Sequence, residues 1–327
     1  MAFYNNPEFN GTNYDERGKP KFSQLPPEIL TEILKKLDPA HRLISRHVCK
    51  RLRSLIDAQK EKVKKLAFHE DQDGIKIVIN ETNEIRLSPQ TNGGCTVIPN
   101  DSDGIFIKGA CHVALALDFM KTILSNTSQK RPLHTLLFDH SHNSKMFNYC
   151  MEYLSSNCPK LHTSIFAFRK APAAQQQIRL EPLLTLVCTK CLKVLRMENS
   201  QQELVMNLME TEHFRQTLMV NFVRCEPLDS AAIDRFFHLQ TFIIHLQRIS
   251  IDMILRLKNE VAQQPDFDSC EIDLVEYLDL DELAAVLGEE IHDDTHISHR
   301  FPIGNSKDYL VLMITEDCVE IDREEDL

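Results

Sequence analysis

The sequence predicts an α/β protein in which a short all-helical segment precedes a long body of alternating strands and helices. Three observations predict it. Between Leu25 and Ile56 apolar residues recur at helical spacing. Between about 74 and 110 they switch to the two-residue period of strands, and from about 111 onward short apolar runs return every 24 to 29 residues with helical stretches between them. A chain of 327 residues holds one sizeable core with an appendage, or two domains. At 43% hydrophobic and 26% charged, with only 9 Gly, it reads as ordered and globular rather than disordered or fibrous.

Residues 1 to 20, rich in Asn and punctuated by Gly and Pro, read as a mobile leader. Pro26 and Pro27 then suit the first turn of a helix, where a missing N–H has no intrahelical partner to lose. Ile29, Leu30, Ile33, Leu34 and Leu37 form its apolar stripe, with Glu28, Glu32, Lys35 and Lys36 between them. Asp38 before Pro39 supplies an N-cap and restarts a second helix. Val48, Leu52, Leu55 and Ile56 mark one face of a third, with Lys50, Arg51 and Arg53 on the other. Three short helices carry more apolar side chains than so small a piece can bury against itself. At about 1.5 to 3 kcal/mol per fully buried Leu or Ile, the surplus is enough to anchor a partner. The alternative is an ordinary amphipathic hairpin closed on its own core.

A basic helical end, KEKVKK at 60 to 65, runs straight into Leu66-Ala67-Phe68, so a short linker is expected to fix the helices relative to the body. IKIVI, EIRL, CTVI and IFIK, separated by turn sequences, predict short antiparallel strands over 66 to 110. The body over 111 to 315 is marked by TLLFDH at 135, SIFAF at 164, CLKVLRM at 191, LMVNFV at 218, FIIHLQ at 242 and SCEIDL at 269. Strand plus helix at that period predicts an irregular leucine-rich-repeat-like solenoid, lacking the usual Asn or Cys ladder. An open doubly wound sheet would use similar spacing, but its Gly-rich phosphate turn is absent. After Gly288, HDDTHISHRFP reads as a solvated loop, YLVLMI at 309 to 314 as a last strand, and 316 to 327 as a solvated acidic tail.

Charge is unevenly spread. Residues 21 to 65 hold 12 Lys or Arg against 5 Asp or Glu, a net +7 in a chain of net −11, which leaves −18 for the rest. A basic segment on an acidic body implies an acidic partner. Nucleic acid is the rival partner, but the basic helices lack aromatic interleaving and the body would repel phosphate. No run approaches 18 apolar residues, so no membrane span is predicted. Ten scattered Cys and a start without a signal-peptide pattern imply reduced thiols in the cytoplasm or nucleus.

The sequence offers little chemistry. A nucleophile elbow, P-loop or HExxH is absent, and no catalytic residue, metal or cofactor is expected. Cys49 reads as a buried, inert thiol at a core-like position of the third helix. Cys188 and Cys191 form one C-x-x-C without a second pair at finger-like spacing, so they read as small apolar fillers. His292, His296 and His299 with Asp293 and Asp294 offer more ligands, but between a Gly and a Pro they read as a loop; His140 and His142 beside Asp139 read the same way.

Leu25-Pro26-x-Glu28-Ile29-Leu30, Ile33-Leu34-x-x-Leu37 and Arg46-His47-Val48-Cys49-Lys50-x-x-Arg53-x-Leu55-Ile56 together resemble an F-box, with Leu52 where that family usually has Trp. The resemblance implies a three-helix unit that docks on the acidic Skp adaptor of a cullin-based ubiquitin ligase. Leu25, Pro26, Ile29, Leu30, Ile33, Leu34, Leu37, Val48, Cys49 and Leu52 would supply the apolar contacts, with Arg46, Lys50 and Arg53 meeting the acidic rim. A second resemblance covers about 180 to 290. There Leu208 to Arg215 is similar to the Glu-x-Gln-Trp-Lys element of the FTH domain, which follows the F-box in many nematode proteins, with Phe214 for Trp and Arg215 for Lys. HLQTFIIHLQRISIDMILRLKNEVAQQPDFDSCEID at 238 to 273 resembles that domain's second half. Together they imply a non-catalytic receptor whose second domain selects a target protein for the ligase. An interaction scaffold outside any ligase is the alternative, and an α/β hydrolase or metal enzyme a third.

Overall fold

The computed structural model describes residues 25–59, 62–100, 102–141, 144–170, 178–292, 295–303 and 308–324. The leader read over 1 to 20 lies outside them. The chain divides into two compact units, Met1–Glu61 and Lys62–Leu327.

The first unit is helical. α1 (Pro27–Lys36) starts behind Pro26, whose ring fixes the extended-to-helical entry. α2 (Pro39–Ser45) is capped by Asp38, whose carboxylate accepts from His41 N at 2.9 Å. α3 (Lys50–Ala58) begins at Cys49 and stops at Gln59. The basic end expected to continue this helix does not: Lys62 to Lys64 are irregular and Lys65 already begins a strand. Four consecutive charged or polar residues give a helix nothing to bury, while Leu66 and Phe68 have a sheet to enter.

Among the described residues, the second unit is built on a 14-stranded sheet. It opens with an antiparallel meander: β1 (Lys65–Asp71), β2 (Gly74–Ile79), β3 (Asn83–Gln90), β4 (Gly94–Pro99) and β5 (Ile105–Lys108). After α4 (His112–Ser125) the strands become parallel and line up in chain order. These are β6 (Leu133–His140), β7 (Thr163–Lys170), β8 (Val194–Glu198), β9 (Met219–Val223), β10 (Thr241–Leu246) and β11 (Ser269–Leu274), with β1 parallel to β6 on its outer side. The connections carry α5 (Ser144–Asn157), α6 (Glu181–Leu186), α7 (Gln202–Met209), α8 (Glu212–Gln216) and α9 (Ile251–Ala262). After α10 (Leu280–Leu287) come β12 (Ile297–Pro302), β13 (Tyr309–Ile314) and β14 (Cys318–Glu324), which join antiparallel in the order β11-β14-β13-β12.

Two of these strands overturn the reading of the C-terminal region. Ile297 to Pro302, read as loop, is β12, and most of the tail read as solvated is β14. The reason is alternation: Val319 and Ile321 point inward while Glu320 and Asp322 point out, so the acidic residues occupy one face of a paired strand.

Burial alternates along the strands, leaving one closed face and one open face. On the closed face Phe68, Phe138, Phe147, Phe166 and Phe168 meet in tilted and edge-to-face pairs with centroids 5.9–6.3 Å apart. Phe214, Phe222, Phe236, Phe242 and Phe267 form a second group. These angles let a positive ring edge meet a negative ring face.

Candidate functional site

Within the N-terminal helices, Leu30, Leu34, Leu52 and Ile56 form a closed core, and Leu25, Leu37 and Leu55 pack half-buried against it. Leu30 is 1%, Leu34 2% and Leu52 5% exposed. As folded, these three candidate contacts face their own unit, and the substitution of Leu for Trp at position 52 lies within that core. Arg51 braces the arrangement by donating Nη2 to Leu25 O at 2.6 Å. Another part of the apolar stripe faces outward. Ile29 is 48%, Ile33 37% and Val48 66% exposed, and Pro26 is exposed too. Ile29 and Ile33 stand one turn apart on α1 and share a face.

The sequence reading of the third helix needs two corrections. Val48 precedes α3 and is not on its buried face, because the helix starts only at Lys50. Cys49 is exposed, not buried: it is the N-cap, its Sγ accepting from Leu52 N at 3.5 Å. Among the expected rim cations, Lys50 and Arg53 are exposed. Arg46 is held by Asp57, with Nε to Oδ1 at 2.6 Å and Nη2 to Oδ2 at 3.2 Å.

In the body, the open face of the sheet carries a charged row across four adjacent strands. His69 Nδ1 lies 3.1 Å from Asp139 Oδ2, Arg169 Nη1 lies 3.8 Å from the same oxygen, and Arg169 Nε donates to Glu198 Oε2 at 2.7 Å. Beside this row is a shallow depression of about 260 Å³ floored by Leu137, Ile165 and Ala167 and flanked by Arg196. Farther along, the face turns acidic. Glu271 stands opposite Glu320 and Ser269 opposite Asp322. Burial, then Asp273, Glu320 and Asp322, push the Glu271 carboxyl above the usual range. Burial, then Asp268 and Glu324, do the same to Asp322.

Comparison with known families follows this division of the chain. The F-box domain family matches residues 22–64, and the FTH domain family matches residues 144–290. This is an F-box protein with a C-terminal FTH domain. No curated protein matches the chain. The F-box thus covers α1 to α3, and the FTH domain runs from the start of α5 to just past α10, holding β7 to β11. It begins well before the position near 180 from which the sequence resemblance ran.

The most recognisable FTH element is split: Glu210, Glu212 and Arg215 are exposed, and its aromatic position turns inward. Thr211 caps α8 by accepting from Phe214 N, and Phe214, in the Trp position, is 1% exposed. Its ring meets Phe236 edge-on at 5.6 Å and His238 at 5.3 Å, and His238 Nε2 lies 3.0 Å from Phe214 O. Phe214 thus ties α8 to the segment that carries Phe236 and His238.

The remaining titratable clusters are sorted by the strands. His140 turns to the closed face, fully buried with its Nδ1 2.8 Å from Glu70 Oε2, while Asp139 takes the open face. His142 lies outside the described residues. His292 and His296 form an isolated antiparallel bridge, whereas His299 sits on β12 against Glu289 at 2.6 Å and Lys258 at 3.1 Å; Asp293 and Asp294 are outside the described residues. Cys188 and Cys191 acquire a neighbour that the linear reading missed. His162 Nδ1 lies 3.1 Å from Cys191 Sγ, and one ligand atom from each of the three residues falls within 4.8 Å of the others. The strand register brings them together: His162 and Cys191 are 29 residues apart, the same offset at which Ile165 of β7 pairs with Val194 of β8, whereas the apolar runs at 164 and 191 start 27 apart. Among the described residues, no helix is long and apolar enough to cross a membrane.

Proposed function

We propose that the chain is a substrate-receptor subunit of a Skp–cullin–F-box ubiquitin ligase, its F-box docking on the Skp adaptor and its body binding a target protein. The observation that carries this is the outward apolar set of Ile29, Ile33 and Val48 on an F-box whose own core is already complete. Full burial of such a side chain is worth about 1.5–3 kcal/mol, and with roughly half of each still in water a partner recovers roughly half of that by covering it. Leu30, Leu34 and Leu52 then act behind the contact, holding α1 against α3. Leu25 and Leu37 form its half-buried margin, Cys49 and Pro26 its edge, and Lys50 and Arg53 its charged rim, with Arg46 fixing the α2–α3 connection through Asp57.

The body would present the target on the open face of the sheet. Six parallel strands in chain order, recurring at 24 to 29 residues, favour the irregular leucine-rich-repeat-like reading, in which such a face is the usual binding surface. The receptor would act by proximity, raising the target's effective concentration at the charged ubiquitin carrier without a bond-making residue of its own. The alternative, a scaffold outside any ligase, would be favoured by a docking surface weakened at Leu52; Leu52 lies inside the core, which reduces that support.

The test is co-purification of a Skp-type adaptor with wild type and with Ile29→Asp plus Ile33→Asp. Both positions are exposed, so the variant should keep its helical circular dichroism and lose the adaptor. Equal recovery from a folded variant would overturn the reading. Leu30→Asp is unsuitable, because it would unfold the helices and lose the adaptor for that reason alone.

A further inference from the structure

We propose that His162, Cys188 and Cys191 form a binding site for a thiophilic divalent cation, zinc, within the FTH domain. The three ligands come from two segments that the backbone locks together. Leu161 N donates to Leu186 O at 2.7 Å, Cys188 N to Leu161 O at 2.8 Å and Lys193 N to Ser164 O at 2.9 Å. These bonds flank all three ligands and fix their separation before any ion arrives. Cys188 and Cys191 are carried by a single 3-10 turn, Thr189–Cys191, closed by Cys191 N to Cys188 O at 3.1 Å. A C-x-x-C on a tight turn brings two sulfurs to one side, and the strand register supplies the imidazole.

The chemistry suits zinc. Two thiolates and one imidazole are a borderline-soft donor set, with bonds of about 2.3 Å to sulfur and about 2.0–2.1 Å to nitrogen. A tetrahedral ion with those bonds needs ligand atoms roughly 3.6–3.8 Å apart. The present separations, 3.1 Å for His162 to Cys191 and none above 4.8 Å within the set, lie about that value. All three residues are half-buried, so an ion can reach them, and the fourth position of a tetrahedral ion would fall to water or a partner's side chain. Binding releases up to two protons, one from each thiol, so affinity should fall as pH is lowered.

The full-length protein, stripped of metal and kept under a phosphine reductant, is titrated with zinc and, separately, with cobalt. The expected results are one zinc per chain by elemental analysis, a thiolate-to-cobalt charge-transfer band, and zinc-dependent protection of Cys188 and Cys191 from maleimide mapped by mass spectrometry. Cys191→Ser should weaken binding more than ten-fold and His162→Gln should weaken it less, while Cys318→Ser, a half-buried thiol elsewhere, should change nothing. The wild-type mapping needs no variant to fold. Absence of stoichiometric zinc, a cobalt spectrum without the thiolate band, or equal labelling of both thiols with and without zinc would each overturn the proposal. So would a Cys188–Cys191 disulfide that persists under reductant. The result is independent of adaptor docking.

Discussion

Neighbouring residues of the F-box stripe have opposite fates, and a substitution series should separate them. Leu34→Ala opens a cavity in a four-residue core and should cost about 2–5 kcal/mol of the unit's stability. Ile29→Ala removes an exposed side chain and should stay within about 0.5 kcal/mol by the same denaturant titration, while weakening adaptor recovery. Phe214→Ala, in the FTH core, should cost about 3–5 kcal/mol by urea unfolding. The sequence showed that Ile29, Leu30, Ile33 and Leu34 belong to one helix, because spacing encodes the stripe. It did not show which of them face in, because a stripe of that width has a centre and two margins, and only the position of α3 decides where the centre lies. Cys49 was misread for a related reason. A helix boundary one residue later turns a core position into a cap, and a sulfur cap has no strong sequence signature.

Elements were legible where alternation was clean and obscured where charge dominated. The runs at 135, 164, 191, 218, 242 and 269 fall within or against β6 to β11, since a buried strand needs its apolar residues whatever it packs on. β14 was hidden by its own outer face, where Glu320, Asp322 and Glu324 give the segment the composition of a tail. That face has a measurable consequence. Glu271 binds its proton more tightly in the folded chain, so its contribution to stability is present at low pH and is lost as pH rises from the ordinary carboxylate range through the raised folded value. Glu271→Gln should therefore raise the thermal midpoint at neutral pH by the equivalent of about 0.5 kcal/mol, the scale of surface charge pairs. The gain over wild type should shrink as the buffer is acidified below that window, which scanning calorimetry across pH would read.

For the whole molecule, composition alone located the charge imbalance between a basic F-box and an acidic remainder, because net charge requires no knowledge of the fold. If docking uses that imbalance, adaptor association should slow as ionic strength rises, and Lys50→Glu with Arg53→Glu should flatten the dependence, as stopped-flow kinetics would show. What composition could not reveal is the order in which the sheet closes. β12 and β13 precede β14 in the chain, yet they reach the rest of the sheet only through it, since β14 lies between β13 and β11. Assembly on that side is thus an insertion: a hairpin made earlier, with His299 of β12 against Glu289 and Lys258, gains its place in the sheet only when a strand made later enters between β13 and β11. A nascent or clipped polypeptide lacking that strand would carry two unsated edges at once, one on β11 and one on β13, each a template for pairing with another chain.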